Sequence, residues 1–186
     1  MLADLDASQV MTLEAFADTI IPGRKRSADD PAVAGVDDDP GAVEAGALEL
    51  LSHPAGGLAD SLFGLAALLN AHAQQYIAEH SLTADGTLPA FVALPFAHRL
   101  TLVARLTAVD HPEKAFWVGL ALFANMAFDS AAHLSTPEAL AAGHPGLTLM
   151  GYAHPDPDGV YRFPRFSYGR QLAQPHPGTT PEGNPA

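Results

Sequence analysis

Apolar and polar positions alternate along the chain in a way that predicts a series of helices separated by Pro/Gly-rich breaks. Leu13, Phe16, Ala17, Ile20 and Ile21 share one side of a segment over residues 11–21, which Pro22-Gly23 stops. A polar loop over residues 24–39 follows, basic at Arg24-Lys25-Arg26 and acidic at Asp37-Asp38-Asp39. Asp39 before Pro40 reads as an N-cap with proline at the first helical position, opening a helix that runs to about Leu51. Over residues 57–80, Leu58, Leu62, Leu65, Leu69, His72 and Tyr76 recur in steps of four and three, the seam of a bundle helix. Residues 83–87 (TADGT) form a turn. Residues 88–108 read as a helix broken near Pro95, with Phe91, Leu94, Phe96, Leu100, Val103 and Leu106 apolar.

Residues 110–133 are apolar on nearly every side, which predicts a helix buried at the centre of the fold. Asp110 is expected to cap it, with Glu113 completing a capping box. Thr136-Pro137 opens a short helix that Gly143 closes. From His144 onward Pro, Gly and aromatic residues dominate and the helical period disappears. Strand signals are weak throughout. The expected fold is all-α: a compact bundle of about five to six helices over residues 1–143. An irregular arm over residues 144–186 is expected to pack on the bundle or on a partner.

Composition narrows the function classes. A chain of 186 residues with 48% hydrophobic residues can bury a substantial core. The net charge of −12 argues against binding nucleic acid or an anionic membrane surface. Cysteine is absent, which excludes disulfides, thiolate metal sites and cysteine nucleophiles. The first residues carry acidic groups and no cationic run, and the longest apolar stretch is too short to span a bilayer. A soluble, cytoplasmic protein is the expectation.

The candidate chemistry lies on two helices. Asn125, Asp129 and His133 recur at i, i+4, i+8 along the central helix. The structural expectation is a buried pair between Asp129 and Arg99 or Arg105, joining two helices. The chemical alternative is a constellation of His72, Tyr76, Asn125, Asp129 and His133 around an internal pocket, with imidazole and carboxylate as base and orienter. Five histidines (His53, His111, His144, His154 and His176) precede proline and read as turns or extended elements. No regular ligand spacing is present, so no stoichiometric metal and no cofactor are expected in this chain. In the arm, Tyr161, Phe163, Phe166 and Tyr168 interleave with Arg162, Arg165 and Arg170 without an acidic residue. Those residue types are enriched at interfaces, so this segment is the expected partner-binding element.

Leu13 to Gly23 (LEAFADTIIPG) and Gly41 to Leu51 (GAVEAGALELL) resemble the start of gluconate 2-dehydrogenase subunit 3 proteins. Phe91 to Leu106 and Phe116 to His133 are similar to that family's aromatic-plus-arginine and long apolar helices. The resemblance implies a divergent member without an export signal, acting as the small, non-catalytic partner of a GMC-type flavin oxidoreductase. FAD would then lie in the large subunit. Two other functions are weighed beside it: a small helical-bundle enzyme of a biosynthetic pathway, and a ligand-binding bundle.

Overall fold

The computed structural model describes residues 5–152 and Gly178. The chain divides after Tyr152 into two compact units, and every helix of the described residues lies in the first. They are α1 (Ala7–Ile20), α2 (Ala47–Leu51), α3 (Leu62–Glu79), α4 (Phe96–Leu106), α5 (Lys114–Ser130), α6 (Thr136–Ala141) and α7 (Pro145–Leu149). Two short 3-10 turns, Pro54–Gly56 and Ala59–Ser61, lead from α2 into α3. There is no strand among the described residues, and the fold is all-α as expected. No helix among them is long and apolar enough to cross a membrane.

Side-chain caps begin α1, α6 and α7. Asp6 begins α1 with a capping box, accepting from the Gln9 N–H while the Gln9 side chain accepts from the Asp6 N–H. Ser135 and Glu138 make the same reciprocal pair at α6. Two of the His-Pro dipeptides also act as caps, His53 at the first 3-10 turn and His144 at α7, and His111 makes the same local bond in the loop before α5. The residue before proline is held extended, which aims the ring at the backbone ahead. His53, His111 and His144 thus accept through Nδ1 from the N–H groups of Ala55, Glu113 and Leu147.

The core joins five helices, α2 contributing Leu48 and Leu51. Leu13 and Phe16 of α1, the Leu62–Leu65–Leu69–Tyr76 seam of α3, Leu102 and Leu106 of α4, and Trp117 and Leu120 of α5 form one cluster with Phe91 and Leu94. Phe16 sits at its centre, with its ring 6.5 Å from Phe91 and 6.3 Å from Trp117. A second cluster is built from small residues: Ala17, Ala42, Ala47, Ala124 and Ala127 with Leu50. Those alanines let α2 lie close along α5.

Several expected elements are corrected. The helix placed after Asp39-Pro40 begins at Ala47, because Gly46 adopts a left-handed conformation (φ 87°) that helix geometry does not tolerate. Its position is fixed by the His133 ring, which a Cβ on Gly46 would meet at 2.6 Å. Residues before Pro95 form turns, so only Phe96–Leu106 of the segment 88–108 is helical. The helical unit does not end at residue 143: α7 follows, with Leu147 buried against Ala131 and Ala139. Asp110 caps nothing. The central helix starts at Lys114, and the Glu113 side chain turns away from the backbone toward His72.

The central helix is also not surrounded. Trp117, Leu120, Ala124 and Ala127 are buried, whereas Leu122 (53%) and Met126 (41%) are exposed on the opposite edge and Phe116 (57%) is exposed on the first turn. Asn125 and Asp129 lie on that exposed edge, and His133 falls beyond the helix end, where Ala131 turns left-handed. Asp129 is exposed, and the expected bridge to Arg99 or Arg105 does not form.

Arg99 is nonetheless the polar anchor of the core. The residue is 4% exposed, and its guanidinium donates to the carbonyls of Leu94 (3.0 Å), Ala32 (2.7 Å), Pro31 (3.1 Å) and Val92. It thereby ties the loop after α1 and the turn before α4 to α4 itself. Burial pulls the Arg99 guanidinium below its ordinary value, while nearby Asp18 and Asp30 favour its charge. Asp18 is 1% exposed and accepts from the N–H groups of Gly23 (3.2 Å) and Ala34 (2.9 Å). Burial pushes its carboxyl up.

Candidate functional site

An open cleft of about 480 Å³ lies between α3, α4 and the loop before α5. Its walls carry His72, Tyr76 and Glu79 from α3, Arg105 from α4, and Asp110 and His111 from the loop. Helix periodicity explains the first set: His72 and Tyr76 continue the leucine seam and point where Leu65 and Leu69 point, but at the end of the core where water enters.

Tyr76 is 3% exposed, and its hydroxyl meets His98 Nδ1 at 3.0 Å. The His80 ring lies 4.2 Å from the Tyr76 ring, and the Arg105 guanidinium stands 5.6 Å from its centroid. Arg105 in turn donates to Glu79 at 3.2 Å. Its guanidinium is therefore a surface group of the cleft and no part of the core.

At the other end of the cleft, His72 Nε2 and Glu113 Oε2 are 2.7 Å apart. The bond to His72 holds the Glu113 carboxyl below the usual carboxylate range, and Trp117 Nε1 donates to the same oxygen at 3.2 Å. Trp117 is fully buried, so this contact fixes the carboxylate from the core side. The His72 ring stands edge-on to both Trp117 and His111, 5.8 Å from each. One ligand atom from each of His72, His111 and Glu113 falls within 4.8 Å of the others.

The structure therefore unites two of the expected constellation, His72 and Tyr76, and separates them from the other three. Asn125 and Asp129 are solvent-exposed on α5. His133 packs 5.9 Å from His144 beneath α2, with its Nδ1 buried and no hydrogen-bond partner among the described residues. Residues 161–170, the expected partner-binding segment, lie outside the described residues.

His98, His111 and Glu113 are not among the expected site residues: His111 reads as a turn and Glu113 as a capping-box partner. Glu113 falls four residues before Trp117, a spacing that lets the two side chains meet on one helical face, and this was the available signal. Nothing local announces that His111 would lie opposite His72.

A second surface feature adjoins α5. Phe63 at the start of α3 is 63% exposed and, with Phe116, Gly64 and Gly119, lines an apolar groove of about 510 Å³. Leu122 and Met126 extend the exposed apolar edge of α5 away from it by helical steps of three and four.

Comparison with known sequences places residues 7–186 in a family described as "Family of unknown function (DUF5987)", and the chain belongs to that family. No curated protein and no solved structure matches the chain.

Proposed function

We propose that this chain is a non-catalytic accessory subunit that binds and stabilises an FAD-dependent oxidoreductase of the GMC type. The observation that carries the reading is the exposed apolar edge of α5 with the groove between Phe63 and Phe116. Contiguous apolar surface of this kind on a folded unit marks a contact site. The class of the partner comes from the resemblance of residues 13–23 and 41–51 to the small-subunit family. FAD belongs to the partner in this reading, and the cysteine-free composition suits a cytoplasmic pair. The aromatic and arginine residues of segment 161–170 supply a second contact, assigned on composition alone.

The test is co-expression with the GMC-type flavoprotein encoded nearest its gene. A yellow complex should co-purify, and Phe63→Asp with Phe116→Asp should release it while leaving the helical circular dichroism unchanged. A flavoprotein that folds, retains FAD and runs separately from this chain overturns the reading.

The convergence of His72, Tyr76, Arg105 and His111 on one cleft favours a second reading, a small-molecule site of a binding protein or enzyme. A polar ligand that raises the melting temperature of wild type but not of Tyr76→Phe supports it. Retained ligand response in that variant removes Tyr76 from the site.

A further inference from the structure

We propose that His72, His111 and Glu113 form a binding site for a single divalent transition-metal ion at the mouth of the cleft. The proposal does not rest on the partner reading above.

Three observations converge. The donor set is two imidazoles and one carboxylate, a combination that suits zinc, iron, cobalt, nickel or copper and disfavours magnesium and calcium. The donor atoms lie within 4.8 Å of one another. Ligands held about 2.0–2.2 Å from an ion stand roughly 3 Å apart, so modest side-chain rotation closes the set. The outer contacts are already in place: buried Trp117 donates to Glu113 Oε2 and packs edge-on against the His72 ring. Such contacts orient ligands before the ion arrives.

The hydrogen bonds within the cluster define what loading must change. The 2.7 Å contact between His72 Nε2 and Glu113 Oε2 needs a hydrogen between them. An ion on Nε2 replaces that hydrogen, which leaves to solvent or moves to Nδ1. His111 Nδ1 accepts a weak 3.2 Å bond from the Glu113 N–H, and either metal-bound tautomer gives it up. Three protein ligands leave coordination positions open, and two of the three donors, His72 and His111, line the cleft together with Tyr76 and Arg105. That is the arrangement of an exchangeable, ligand-accepting centre, unlike the closed four-ligand shell of a structural zinc.

Trp117 is the single tryptophan of the chain, so the site carries its own reporter. The experiment is a Co²⁺ titration of the full chain, following visible d–d absorption and tryptophan fluorescence together. Both signals should saturate at one ion per chain, and added Zn²⁺ should reverse them. His72→Gln and Glu113→Gln should weaken Co²⁺ binding by at least about tenfold, with circular dichroism confirming their fold. His133→Gln, outside the cluster, should leave it unchanged. Absence of saturable cobalt bands in wild type overturns the proposal, as does binding that survives in both cluster variants.

Should the variants not fold, protection of wild type decides. Zn²⁺ should shield His72 and His111 from diethyl pyrocarbonate, read by peptide mass. Equal modification of both rings with and without Zn²⁺ overturns the site.

Discussion

Arg99 holds four backbone carbonyls from two segments distant in sequence, and no other side-chain type has donors enough in one plane. Arg99→Ala would leave those buried acceptors without partners. It should cost about 3–5 kcal/mol in chemical denaturation, the range for removing one member of a buried charged cluster. Arg99→Lys should recover little, because an ammonium cannot span the fan. His133 supplies a pH dependence. Burial, with His144 beside it, pushes its imidazole below the ordinary value of 6.5. The unfolded chain then takes up a proton at higher pH than the folded chain does. Its contribution to stability is complete above the ordinary value and declines as pH falls from there toward the depressed folded value. Thermal melts across that window should show the decline, and His133→Gln should flatten it. A wild-type curve unchanged by the substitution would assign the slope to other groups.

At the scale of the element, α5 presents two opposed faces from neighbouring turns. Leu120 is 1% exposed and Leu122 is 53% exposed, two positions apart. Leu120→Ala should cost about 2–5 kcal/mol in denaturation, and Leu122→Ala should stay within about 0.5 kcal/mol. Equal losses at the two positions would mean that the edge is covered in solution. Asp129→Ala should likewise be near neutral in melting. This helix also marks how far sequence reasoning reaches. The α3 seam was legible because its apolar residues repeat at bundle spacing among polar ones. The α5 segment is apolar on both faces, so periodicity had nothing to discriminate, and burial all round was the natural inference. The exposed edge follows from which neighbours the fold supplies: α2 and the core cover one side and nothing described covers the other. The candidate cleft was half legible. His72 and Tyr76 lie on the seam, whereas His111 joins the cleft, and Glu113 meets His72, only through the packing of α3 against residues far later in the chain.

For the whole molecule, charge is the dominant long-range term. The net charge is −12, and the first sixty residues hold twelve carboxylates against three basic residues. Two of those bases are committed: Arg24 pairs with Glu44, and Arg26 joins Glu14 and Asp30. The remaining excess repels itself in the compact state. Raising ionic strength from about 0.01 M to about 0.15 M shortens the Debye length from roughly 30 Å to roughly 8 Å. The melting temperature should therefore rise over that range with no specific ion involved, and scanning calorimetry in NaCl and in KCl should give the same increment. A rise specific to one cation would indicate site binding instead.

The backbone contact between Gly23 and Gly41 has a practical outcome. A Cβ on Gly23 would come within 2.3 Å of the Gly41 nitrogen. Hydrogen bonds from Arg24 N to Asp39 O (2.9 Å) and from Ala42 N to Ile21 O (3.0 Å) flank that pinch. The intervening chain thus leaves and re-enters the body through one narrow neck; its middle is fastened by Arg99 at Pro31 and Ala32 and by Asp18 at Ala34, and Asp37 and Asp38 are exposed between that anchor and the neck. Lengthening a loop whose ends are already fastened is inexpensive, about 0.6 kcal/mol for each doubling. The exposed Asp37–Asp38 stretch is accordingly a graft point, where an affinity peptide or a fluorophore-bearing insert can be spliced into the chain with the helices undisturbed.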